Sequence, residues 1–185
     1  MVVVVDVVIG AGLFFIGGPV IVELVGYSWH RAAEHMGVLG NKVRHKHWVH
    51  HEVHYPKEKL RPNDHYEDAG GWTMYALGVA CTLVALLIMP LKYYAPLALG
   101  AWIYGYLIGE YFHRAFHVRH HWLQRFAWFR RLVMLHDIHH TGPYNYGIVF
   151  FWMDRLFGTL REEFPAGEQE RFPGFDHAKA RSSLS

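Results

Sequence analysis

Two copies of one pattern, His47-x-x-His50-His51 and His136-x-x-His139-His140, constrain this chain more than any other feature. A helix turns about 100° per residue, so positions i, i+3 and i+4 fall within an arc of about 100° and each box presents three imidazoles on one face. Two pairs accompany the boxes. His113 and His117 stand i, i+4 and share a face. His30 and His35 stand i, i+5, about 140° apart on a regular helix, so they either meet different partners or sit where the helix unwinds. Sixteen histidines occur in 185 residues, none before Trp29 and none between Tyr66 and Phe112, a grouping that random surface use does not produce. Ten imidazoles at these spacings are too many for one metal and suit two ions with about five each; imidazole serves iron, zinc, copper and nickel alike. His45, His54, His65 and His177 read as ordinary polar residues. His120 and His121 extend His117 into a further H-x-x-H-H and are read as lying outside the set of ligands.

The apolar segments set the rest of the architecture. Val2 to Gly26 is apolar apart from Asp6 and Glu23, Trp72 to Met89 carries no charge, and Tyr93 to Phe112 carries only Glu110. The second is about 27 Å long as a helix, close to the roughly 30 Å hydrocarbon core of a bilayer. A short Pro90-Leu91-Lys92 turn sets the second and third back to back. The first has no basic start and is interrupted by Asp6, which suits a retained membrane helix better than a cleaved signal. Trp122 to Leu135 mixes aromatic residues with Arg125, Arg130 and Arg131, as an interfacial helix would. Residues 1–161 form one membrane-embedded unit, and Glu162 to Ser185 reads as a loosely ordered polar tail. The expected fold is all-α: an integral-membrane helical bundle with a histidine-rich cap for two metals and interfacial helices.

Charge fixes the orientation. Seventeen of the eighteen Lys and Arg lie either between Tyr27 and Gly71 or after Phe112, and Lys92 alone lies in the turn between the second and third spans. With three spans those two regions share a side, which the positive-inside bias makes cytoplasmic, and the histidines go with them. Orientation accounts for the basic residues, so no nucleic-acid surface is expected. The single cysteine, Cys81, excludes an intramolecular disulfide and a thiolate metal site.

The stretch Tyr27-Ser-Trp-His30-Arg31, then His35, then His47-x-x-His50-His51-Glu52, resembles the fatty acid hydroxylase/sterol desaturase superfamily. So does the later run His136-x-x-His139-His140, Asn145-Tyr146-Gly147 and Trp152-Met153-Asp154-Arg155-Leu156-Phe157-Gly158-Thr159. The resemblance spans about residues 23–161 and is strongest in the closing W-x-D-R-L-F-G-T. It implies a membrane enzyme that uses a histidine-bound pair of iron ions, with zinc a possible substitute in purified protein. O2 is the co-substrate, and a separate ferredoxin- or cytochrome-type donor with its reductase supplies electrons, since no H-P-G-G haem motif is present. The chemistry implied is hydroxylation or desaturation of an acyl, sterol or isoprenoid lipid. The ligands it implies are His30, His35, His47, His50, His51, His113, His117, His136, His139 and His140. An H-x-x-H-Y motif of some members reads here as His113-Arg-Ala-Phe-His117, which keeps the ligand spacing and loosens the substrate analogy. Carotenoid ring hydroxylases have related boxes without the closing run and are the second choice; a non-enzymatic membrane metal-binding protein is the third.

Unactivated C–H bonds need a strong oxidant, which an iron pair generates from O2, while the protein positions the metals. Ligating imidazoles need partners on their other nitrogen. Asp137 and Asp154 are the main candidates, with Glu52 and Glu110 behind them. An apolar substrate is expected to approach between the helices, past aromatic residues such as Trp72, Tyr104, Phe150, Phe151 and Trp152. Helical angles suggest that one metal takes His30, His47, His50, His136 and His139, and the other His35, His51, His113, His117 and His140. The topology has a direct check. In a Cys81→Ser background, cysteines at Ala69 and Ser183 should label from the same face of the membrane; labelling from opposite faces contradicts three spans.

Overall fold

The structure is a computed structural model that describes residues 2–67 and 72–167, with the backbone alone over residues 2–8. His177, Ala69, Ser183 and the tail beyond Gly167 lie outside the described residues. Every regular element among the described residues is helical. Helix α1 (Val2–Trp29) continues without a break into a π-helical turn, His30–His35. Helix α2 (Asn41–Val49) likewise runs into a π turn, His50–His54. Helix α3 spans Trp72–Ile88. Helix α4 (Leu91–Trp102), a π stretch (Ile103–Glu110) and α5 (Tyr111–His117) form one run that ends where Val118 turns extended. A 3₁₀ turn (Trp122–Arg125), α6 (Ala127–His139) and α7 (Trp152–Phe157) complete the order.

The three apolar segments of the sequence become α1, α3 and α4 with its extension. The stretch Ile9–His35 is long and apolar enough to cross a membrane, and 17 % of its most apolar window is buried. Helix α3 is as apolar but shorter. Pro90 disfavours helical backbone at Met89 and ends α3, then serves as the extended residue that starts α4. Large apolar side chains stand exposed along these helices, including Leu13, Ile16, Leu83, Leu87, Ile88 and Leu91.

Helix α1 packs most closely on α4. The reason is a pair of glycines. A Cβ on Gly18 would stand on the backbone of Leu97 and Ala101, and a Cβ on Gly100 would stand on the backbone of Phe15. Absent side chains let the two backbones touch, as small residues do between apolar helices that have no hydrophobic drive to associate. Helix α3 packs on α4 rather than on α1, leaving a space between α3 and the α1–α4 pair.

The second half has an ordinary core. Phe129, Leu132, Val133, Met134, Leu135 and Ile138 of α6 are buried against Phe116, Leu123, Phe151 and Leu60. This corrects the reading of Trp122 to Leu135 as one surface helix. The segment breaks at the extended Phe126, and its second part is the central helix of the core, carrying the second histidine box. Only Trp122, Phe126 and Trp128 keep an exposed aromatic face. The core also takes in Phe164, beyond the 1–161 unit, and Arg131 pairs with Glu162.

The glycine crossing yields a stability test. Gly18→Val or Gly100→Val should cost about 1–3 kcal/mol, the range for overpacking a close contact, and lower the melting temperature. Gly12→Ala, where nothing lies within 4 Å of the new Cβ, should not lower it.

Candidate metal centre

The ten histidines of the two boxes and two pairs converge below the ends of α1 and α4. His30, His35, His47, His51 and His139 form one group in which a nitrogen from each lies within 4.8 Å of the others; His50, His117, His136 and His140 form a second on the same criterion. His113 borders the second group, its ring centroid 4.8 Å from His50 and 5.1 Å from His136. The groups abut, with the rings of His51 and His140 stacked at 4.1 Å.

His30 and His35 belong to the same group, and the π turn is why. Its backbone bonds run i→i+5, as from Met36 N–H to Arg31 O at 3.0 Å, so residues five apart come onto one face. The helix unwinds here, one of the two alternatives the i, i+5 spacing leaves open. The division expected from helical angles is therefore corrected. In each box the adjacent residues do part: His50 from His51, and His139 from His140. But i pairs with i+4, not with i+3. His47 and His51 join the first group and send His50 to the second; His136 and His140 join the second and send His139 to the first. On a helix i and i+4 diverge by about 40° and i and i+3 by about 60°, so the observed pairing is the tighter one.

Four rings have their Nδ1 fixed by a backbone carbonyl. His30 donates to Tyr146 O at 2.9 Å and His139 to Tyr144 O at 2.7 Å. His117 donates to Leu60 O at 2.9 Å and His140 to Tyr55 O at 3.0 Å. A carbonyl only accepts, so these Nδ1 atoms carry the proton and each Nε2 presents a lone pair. Two short segments thus orient two rings each: 144–146 for the first group and 55–60 for the second. The acids singled out in the sequence hold these segments. Asp154 accepts from the N–H groups of Tyr146 and Gly147 at 2.7 and 2.6 Å and from the Thr159 hydroxyl at 2.6 Å, which explains the D and T of the closing motif. Asp137 takes both terminal nitrogens of Arg61 at 2.7 and 2.8 Å, tying segment 55–61 to α6. Burial pushes the Asp154 carboxyl up, against the hydrogen bonds it accepts.

One acid escaped the sequence reading. Glu34 is buried, accepts from Trp29 Nε1 at 3.0 Å and from the Thr73 hydroxyl at 3.2 Å, and stands 3.6 Å from His47 Nδ1. Its only signal was its place four residues after His30, on the same helical face. Glu110 instead pairs with Arg114 at the surface. His120 and His121 stay away from both groups: His120 is exposed in a left-handed turn, and His121 accepts from Leu123 N–H and lies 3.3 Å from the Tyr111 hydroxyl. His45 stacks on Trp48, His54 faces Glu67, and His65 is exposed.

The donor set fits metal cations. His47 Nε2 lies 2.8 Å from His35 Nε2 and 3.1 Å from His30 Nε2. His136 Nε2 lies 3.0 Å from His117 Nε2 and 3.3 Å from His140 Nε2. The Nε2 atoms of His50, His51 and His139 are buried with no hydrogen-bond partner among the described residues. Burial, reinforced by neighbouring imidazoles, holds His47, His50, His51, His136, His139 and His140 well below the usual histidine range. Burial likewise lowers His117 well below that range and His113 to about 4. These eight rings are neutral near pH 7, as metal ligands must be.

A cavity of about 600 Å³ ends on this centre. It occupies the space between α3 and the α1–α4 pair, with Val22, Val25, Leu77, Leu97, Ala101 and Trp102 among its apolar walls and His30, His47, His50, His113 and His136 at its end. Of the aromatic residues expected along it, Trp72 lines it. Tyr104 is instead buried against Glu23 through a 2.6 Å hydrogen bond, and Phe151 belongs to the core.

Residues 15–159 match the family model described as fatty acid hydroxylase. Among curated proteins and solved structures nothing matches.

Burial of neutral imidazoles predicts a pH response. In the unfolded chain each returns to about 6.5, so below that pH the unfolded state binds protons that the folded state refuses. The metal-free protein should keep its full stability above about pH 7 and melt at steadily lower temperature as pH falls from 6.5 to 5. A melting temperature independent of pH over that range contradicts the buried neutral cluster.

Proposed function

Because the chain belongs to the fatty acid hydroxylase family, we propose that it is a membrane-bound, O2-dependent dinuclear-iron oxidoreductase that hydroxylates or desaturates an acyl, sterol or isoprenoid lipid. Family membership implies an oxidoreductase acting on a lipid. The observation that carries the finer reading is the apolar cavity ending on two adjoining all-imidazole groups. In this reading His30, His35, His47, His51 and His139 hold one ion, and His50, His117, His136, His140 and His113 hold the other. Bound there, iron supplies the O2 activation that unactivated C–H bonds require.

The chain's own groups supply orientation and exclusion. The carbonyls of Tyr146, Tyr144, Leu60 and Tyr55 hold protons at Nδ1, leave Nε2 bare, and fix each ring's plane. Glu34 faces Nδ1 of His47, the ring closest to two others of its group. The cavity's apolar walls keep water from the reacting carbon and align a hydrocarbon with the histidine end. The exposed apolar surfaces of α1, α3 and α4 suit lipid contact. The Lys and Arg distribution supports a cytoplasmic histidine end, open to a separate electron donor. A carrier that moved metal across the bilayer would place its ligands near the midplane. Here they lie at the helix ends, where a substrate rather than an ion must traverse the apolar space.

The test uses iron-loaded protein in nanodiscs containing host lipids, supplied with O2, a ferredoxin-type donor and its reductase. Mass spectrometry should find lipids that have gained an oxygen atom or lost two hydrogens. His51→Ala and His139→Ala should each reduce product by at least about 100-fold, since even outer partners of metal ligands are worth about 10–100-fold. Product formed anaerobically and without reductant contradicts the oxygenase reading.

A further inference from the structure

The cavity is not uniform along its length. Its wall on α3 runs from Thr73, hydrogen-bonded to Glu34 beside the histidines, to Ala85 toward the other end of the helix, a depth of about 18 Å at 1.5 Å per residue. Trp102 of α4 lines it and reaches α3. The indole N–H donates to the Thr82 hydroxyl at 3.0 Å, and Thr82 in turn donates to Gly78 O at 2.7 Å. The far edge of the indole ring is 3.7 Å from where a Cβ on Gly78 would stand. The ring therefore reaches from α4 to α3 and is fixed at its tip by a hydrogen bond and by the bare backbone of Gly78. Swinging it aside would leave its N–H without a partner in an apolar space, which makes this position specific. Toward the histidines lie Met74, Leu77 and Gly105; beyond the ring lie Ala85, Leu97 and Ala98.

We infer that Trp102, latched to Thr82 and seated on Gly78, sets how deep a single straight acyl chain can lie in the cavity, and so selects the substrate by chain length. The inference rests on the lipid-oxidising reading of the site and names its substrate class. An indole that bridges two helices narrows the space beside it, which favours a single chain whose end stops at the ring over a fused-ring lipid. In an apolar pocket one methylene too many or too few changes selectivity by about 10–200-fold, so a fixed stop is enough to discriminate lengths.

The experiment measures binding and needs neither iron, O2 nor an electron donor. The full chain in nanodiscs is loaded with a fluorescent fatty acid, which is displaced by saturated fatty acids of increasing length and by cholesterol. Displacement by the wild-type ligand series should strengthen with length and then weaken by at least about tenfold beyond one cut-off. Trp102→Leu should move the cut-off to longer chains, and Gly78→Val, which presses on the ring, to shorter ones. Thr82→Val removes the latch alone and should also lengthen the cut-off; it carries the test should Trp102→Leu fail to fold. The same length profile in wild type, Thr82→Val and Gly78→Val overturns the inference, as does displacement by cholesterol but not by fatty acids, or by none of them. A protein that shows these shifts without turnover keeps the inference and loses the proposed reaction; turnover with an unmoved profile does the reverse.

Discussion

His47 Nε2 stands within 3.1 Å of two other imidazole nitrogens, and His136 Nε2 stands within 3.3 Å of two more. The carbonyl-bound Nδ1 protons of His30, His117 and His140 leave their Nε2 atoms as acceptors only, and where the facing nitrogen also presents a lone pair the two repel in a desolvated space unless positive charge stands between them. Protons are a poor source of it, because burial and the neighbouring rings lower the affinity of these imidazoles for a proton. A divalent ion meets the demand without that penalty, since it accepts several lone pairs at once. Much of the surrounding structure serves to keep the nitrogens facing inward. The carbonyls of 55–60 and 144–146 take the Nδ1 protons; Arg61 with Asp137, and Asp154 with Thr159, hold those two segments in place.

Buried acids join the apolar bundle to the polar centre: Glu34 ties Thr73 of α3 to the ring of His47, and a second lies deeper. Glu23, in the apolar part of α1, accepts from the Tyr104 hydroxyl at 2.6 Å and from the Val149 N–H at 3.1 Å. It links α1 to the π stretch after α4 and to the residues that follow the 144–147 segment. Close contact of α1 with α4 at Gly18 and Gly100 fixes the frame from which these residues project. The cavity exists because α3 is held against α4 and away from α1, and α1 and the run that begins with α4 both supply apolar walls and deliver His30 and His113 at its end.

Much of this was legible in the sequence. The uncharged run from Trp72 to Met89 is α3 but for its last residue, and the run from Tyr93 to Phe112 lies inside the helical stretch from Leu91 to His117. The boxes announced three-histidine faces, and the separation of His50 from His51 and of His139 from His140 follows from helical geometry. Side-chain spacing leaves the π turn at His30–His35 open as one of two alternatives, because nothing in it compels a helix to bond i→i+5. The carbonyl partners were invisible, since a backbone acceptor has no residue signature. Glu34 is not legible in the sequence, because a single acid among ten histidines has the pattern of a solvated charge and only the fold encloses it with Trp29 and Thr73. Trp122 to Leu135 misled because the arginines mark only the outer face of α6, while Phe129, Val133 and Ile138 are fully enclosed.

In the proposed enzyme two ions occupy two adjoining all-histidine groups, divided by i, i+4 pairing and by the π turn. An anomalous-difference map at the iron edge, from crystals of the iron-loaded protein, addresses it most directly. Two peaks are expected: one among His30, His35, His47, His51 and His139, the other among His50, His117, His136 and His140 beside His113. A single peak, or two peaks that divide His30 from His35, contradicts it.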